Sequence, residues 1–165
     1  MSDPRLEQLL DIEAIKQVKY RYIRCLDCKE WEEMADCFTE DAVSAYDSGA
    51  HAAKGRDTIL GFLEDALGRT DIVSLHQVHN PEIELTSSTT AKGRWYLEDT
   101  VINPGEAAAA LRAHTLLQGA AFYEDEYVKV DGQWKICHTG YQRTWEMQEP
   151  LSDDPERHLR SRWHP

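Results

Sequence analysis

The chain has 165 residues and a mass of 19.0 kDa, enough for one domain with a sizeable core and too few for two ordinary ones. With 30 Asp and Glu against 18 Lys and Arg, the formal charge of -12 repels a phosphate backbone or an anionic bilayer and argues against nucleic-acid and membrane partners. MSDPRLEQLL holds no apolar targeting core and no run nears bilayer length, while Cys25, Cys28, Cys37 and Cys137 are few and scattered, so a soluble, cytoplasmic protein with reduced thiols is expected.

From Pro4 to Cys28 apolar residues recur at steps of three and four, which predicts an amphipathic helix with proline in its first turn. After Asp27-Cys28-Lys29, the segment EWEEMADCFTED marks a second helical face with Trp31, Met34, Ala35 and Phe38. AVSAYD reads as a brief strand, and Gly55-Arg56-Asp57 opens a third helix that Gly68 stops. Beyond residue 70 the period changes to two: strands are expected over 73–86, 90–102, 115–130 and 133–146, with Asp131-Gly132 as a hairpin turn. The alanine-rich stretch 107–114 reads as a short helical flap between two of them.

Helices first and a meander of long strands afterwards mean an α+β fold, a cone-shaped, curved, antiparallel-rich sheet closed by the N-terminal helices. The domain is expected over residues 1–148, with a polar tail over 149–165. An exposed sheet face generally wants a partner, so the chain is expected to form a homodimer or homotrimer.

A sheet closed by helices leaves a pocket, and polar residues at apolar positions are its candidate chemistry. RYIRCLD sends the Tyr22 phenol and the Asp27 carboxylate toward one region, although Asp27 could equally cap the second helix. In SLHQVHNPEIEL, His76 and His79 have opposite strand phase unless Asn80-Pro81 makes a bulge. No H-x-H or H-E-x-x-H spacing occurs, so no metal is expected, and a strand histidine can simply be structural. GRWYLED places Trp95, Leu97 and Asp99 on one face. The last strand offers Tyr141, Arg143 and Trp145 on one face and Trp134, Ile136 and His138 on the other, with Gly140 able to shift the phase. Inside the cone Arg143 would bind an anion or hold an acid. Trp95, Trp145 and Phe122 suggest an apolar ligand.

DIEAIKQVKYRYIRCLD, SLHQVHNPEIEL, GRWYLED and GAAFYEDEYVKVDGQWKICHTGYQR together resemble the SnoaL-like branch of the nuclear transport factor 2-like superfamily. Its relatives include scytalone dehydratase, steroid isomerases and, nearest in these motifs, bile-acid 7α-dehydratases. The resemblance covers most of residues 11–143. It implies a catalytic histidine at His76, its aspartate at Asp27, pocket tyrosines at Tyr22 and Tyr46, a strand carboxylate at Asp99 and an arginine at Arg143; the strand faces add Trp95 and Tyr141 as expected substrate contacts. It implies a cofactor-independent dehydratase acting on an apolar hydroxy-carbonyl compound, a steroid or bile-acid derivative. An isomerase, a dehalogenase, a polyketide cyclase or a non-catalytic small-ligand binder could use the same cone.

Overall fold

A computed structural model describes residues 3–152 and 158–163. Helix α1 spans Pro4–Cys28; its N-cap Asp3 accepts from the Arg5 backbone N–H, and Lys29 ends it in a left-handed conformation. Its inward stripe of Ile15, Val18, Lys19, Tyr22 and Leu26 is buried at steps of three and four, whereas Leu6, Leu9 and Leu10 at its start stay exposed. Helix α2 is only Trp31–Ala35, shorter than its sequence pattern suggests, because Phe38 already belongs to strand β1, Phe38–Tyr46. A 3₁₀ turn at Asp47–Gly49 leads to β2, His51–Lys54, and α3 follows over Arg56–Leu67. Long strands β3 (Val73–Leu85), β4 (Thr90–Asn103), β5 (Thr115–Val130) and β6 (Gln133–Pro150) complete the described elements.

The strand order is β2-β1-β6-β5-β4-β3. The expected α+β architecture is present, but the sheet is mixed: β1 runs parallel to β6, and the other neighbours are antiparallel. The β5–β6 hairpin turns at Asp131 and Gly132, φ 49° and 80°, as such a turn requires. Strand β6 runs to Pro150, two residues past 148. Of the tail, residues 153–157 and 164–165 lie outside the described residues; Trp163 packs its ring 4.6 Å from Lys29 Nζ at the end of α1. No described helix is long and apolar enough to cross a membrane.

The expected flap at 107–114 is not a helix. Asn103 Nδ2 donates to the carbonyls of Glu106 and Arg112, and Ala108 and Leu111 exchange backbone hydrogen bonds as an isolated bridge. So short a segment gains little from helix formation alone, and these bonds claim its polar groups instead. One stretch of the core is polar. Lys19 Nζ lies 2.8 Å from Asp125 Oδ2, and Asp125 also accepts from Tyr127 and Thr139. Burial lowers the Lys19 pKa and the Asp125 charge opposes that shift. Trp95 donates to Tyr127 Oη in this network, fully buried, so it is core and not the expected substrate contact.

Candidate active site

The last turns of α1 carry Tyr22 and Leu26 into a cavity of about 150 Å³ between the sheet and α3. Asp27, one residue further round, faces β3. There Ser74 and His76 share strand parity, and both reach it: Asp27 Oδ1 accepts from Ser74 Oγ at 2.8 Å and lies 2.6 Å from His76 Nδ1, while Oδ2 accepts from the His76 backbone N–H at 2.8 Å. Asp27 therefore does not cap α2, whose N-cap is Glu30. A carboxylate on Nδ1 selects the tautomer with its proton there and leaves Nε2 as a base. The His76 ring, 8% exposed, lines the cavity.

His79 does not share this place. The strand parity that turns His76 inward turns His79 outward, against the Tyr96 ring at 5.3 Å. A bulge does occur at Asn80-Pro81, with Asn80 at φ 50°, but it follows His79 and re-phases only Ile83 and Leu85.

Four phenols line the same cavity: Tyr22, Tyr46, Tyr123 and Tyr141. Tyr22 and Tyr46 share a hydrogen bond of 3.1 Å between their hydroxyls. Burial, aided by the neighbouring phenols, pushes Tyr22, Tyr46 and Tyr123 well above the usual tyrosine range; burial also lifts Tyr141, against the pull of Arg143, to about 12. These groups thus keep their protons and act as hydrogen-bond donors throughout the neutral range.

Arg143 holds an acid rather than waiting for an anion. Its Nη1 and Nη2 donate to Asp99 Oδ1 and Oδ2 at 2.5 and 2.8 Å, and Nε lies 3.2 Å from Glu146 Oε2. The two-pronged contact with Asp99 is the bidentate one, while Nε, buried, makes no hydrogen bond among the described residues. Gly119, opposite Asp99 on β5, makes this possible, since a Cβ there would come within 2.7 Å of Arg143 Nη1. Asp99, Tyr141 and Arg143 all line the cavity.

Trp145 does not follow them inward. Thr144 is an extra residue in β6 between the pairs Ala120–Trp145 and Ala121–Arg143, and this bulge turns Trp145 out to 51% exposure. A second bulge at Cys137 sets Trp134 and Ile136 on the same inward side as Tyr141, so the phase shift falls there and not at Gly140. Phe122 also faces outward, stacked on Tyr96.

Sequence reasoning missed Asp47, His51, Phe62 and Tyr123, all lining the cavity. The Phe62 signal was present in the apolar face of α3; His51 sits on a strand too short to announce itself. Among the described residues, Cys25, Glu30 and Glu33 could gather round a metal, but they lie outside the cavity and Arg24 pairs with both carboxylates.

Fold and site together define an α+β cone of the nuclear transport factor 2-like type, its cavity lined by a carboxylate-held imidazole and a cluster of phenols. The chain belongs to the SnoaL-like domain family, whose model matches residues 7–140. Type 2 hexachlorocyclohexane dehydrochlorinase (LinA) superposes with a TM-score of 0.76 at 18% identity, over 92% of this chain and 99% of its own. A Novosphingobium aromaticivorans protein named "Putative Scytalone Dehydratase" does so with a TM-score of 0.69 at 28% identity, over 88% of this chain and 92% of its own. A protein of unknown function with a cystatin-like fold, from Nostoc punctiforme, gives 0.61 at 23% identity, over 81% and 91%. The first and third of these show the fold alone.

Proposed function

We propose that the chain is a lyase that eliminates water from an apolar hydroxy-carbonyl or hydroxy-enone compound. The observation that carries this reading is the Asp27–His76 pair, whose ring lines the same cavity as the Tyr22 phenol. Elimination needs a base for the acidified C–H and a donor to the oxygen that gains charge. His76 Nε2 removes the proton, and Asp27 stabilises the imidazolium that results. Tyr22, with Tyr46 hydrogen-bonded behind it, donates to the developing enolate; such a preorganised donor contributes about 3 kcal/mol. The chemistry itself calls for no cofactor.

The 28% identity with the dehydratase-named protein supports the same reading. So does the cavity, which at about 150 Å³ matches a space that holds one aromatic ring. A steroid or bile-acid derivative would enter with its reacting ring and project outward. Incubation with a panel of hydroxy-3-oxo-steroids and aromatic polyketides, followed by mass spectrometry, tests this: loss of one water mass is expected. Conserved mass with a moved double bond means an isomerase, and ligand retained unchanged means a binder.

A further inference from the structure

Two imidazoles line the cavity, from opposite edges of one sheet. His76 comes from β3 and His51 from β2, the two end strands of the order β2-β1-β6-β5-β4-β3. Their surroundings differ in kind. His76 is held by Asp27 through Nδ1. His51 rests flat on the Phe62 ring at 5.1 Å and 26°, and among the described residues neither of its nitrogens has a hydrogen-bond partner. Phe62 stacks in turn on Tyr46, 6.0 Å away, and Tyr46 pairs with His51 across the β1–β2 ladder. The turn joining those strands, Asp47-Ser48-Gly49, has three consecutive positive φ values of 49°, 56° and 88°. Only glycine adopts that region without cost, so Asp47 and Ser48 are held in a disfavoured conformation beside His51.

The elimination has so far a base and an oxyanion donor, and its one acid is the imidazolium that His76 becomes, placed on the wall that took the C–H proton. A hydroxide leaves poorly; it needs a proton as the C–O bond breaks. Both oxygens of Asp99 accept from Arg143, so that carboxylate is an acceptor and not a donor. The buried phenols are committed to remaining protonated. An imidazolium can hand a proton to a leaving oxygen, and neither nitrogen of His51 is tied up in a hydrogen bond among the described residues.

We propose that His51 is the acid of the site, giving a proton to the departing hydroxyl from the sheet edge opposite His76; this rests on the lyase reading above. The step balances. The C–H proton goes to His76 Nε2, its electron pair forms the new double bond, and the C–O pair leaves with the hydroxyl, which takes the His51 proton and departs as water. His76 ends protonated and His51 neutral, and solvent restores both. Acid and base on different walls suit removal of H and OH from opposite faces of the substrate.

The discriminating experiment varies the leaving group. A β-hydroxy ketone and the same ketone bearing chloride in place of hydroxyl are given to the intact chain and to His51→Gln and His51→Phe, the second of which keeps the stack on Phe62. Chloride leaves without a proton. Both variants should lose about 10²- to 10³-fold on the hydroxy compound and only a few-fold on the chloro compound. Equal losses on both compounds would show that His51 merely shapes the pocket, and undiminished rates on both would make it a bystander; either overturns the assignment while the lyase reading stands. A wild-type chain that eliminates neither compound overturns both.

Discussion

At the scale of single residues, the site works by commitment. Asp27 spends both oxygens on β3, fixing the imidazole tautomer, and the Arg143 charge is already matched by Asp99, which leaves it little call for a substrate carboxylate. The cavity is therefore suited to a neutral reacting group. The phenols give a prediction in pH. Burial raises Tyr22, Tyr46 and Tyr123, and Tyr141 to about 12, against about 10 in an unfolded chain. A raised pKa means that the folded state keeps a proton which the unfolded state gives up. Their stabilising contribution is thus full below about pH 10 and is lost as pH rises beyond it. Phenolate absorbance and urea midpoints should show five of the seven phenols, these four and the buried Tyr127, still un-ionised at about pH 10 in the folded chain, with the midpoint falling above that. Four phenols ionising at their ordinary pKa in a chain that stays folded would mean the cavity is open to water.

At the scale of elements, the prediction concerns the parallel pair. Gly140 on β6 faces Ala45 on β1, and a Cβ there would lie 2.6 Å from the Ala45 carbonyl oxygen, a backbone atom that cannot step aside. Gly140→Val should destabilise the chain by about 1–3 kcal/mol and lower activity as well, since Tyr46 and Tyr141 flank that contact. Thermal melts and turnover check this; an unchanged melt would remove the constraint. This pairing was not legible in the sequence. The helices α1 and α3 and the four long strands were, because their apolar periods persist for many residues. A bulge inserts one residue and reverses parity beyond it without marking the composition. That is why Tyr141 and Arg143 could be placed on a shared face while Trp145 was wrongly kept with them. The 107–114 stretch misled for a different reason: alanine favours helix locally, and hydrogen bonds from Asn103 override it.

At the scale of the whole molecule, curvature makes the site. Six strands bring β2 and β3, the ends of the sheet, to a common cavity beneath α1 and α3. The residues legible from sequence, Tyr22, Tyr46, His76, Asp99, Tyr141 and Arg143, come from five elements and meet there, with Asp27 behind the imidazole. Trp95 looked equivalent by parity but lies in the buried Lys19–Asp125 network, since parity gives the face and not the depth. His51 escaped notice because its own strand is only four residues long, and the closure that makes it a wall of the site is a property of the complete sheet. The account rests on one imidazole acting as the base. Its most direct test is the turnover of His76→Ala on whichever panel compound loses water, measured beside its thermal melt. The rate should fall by about 10³-fold or more with the melt little changed; a folded variant that dehydrates its substrate at a near-native rate would contradict the account.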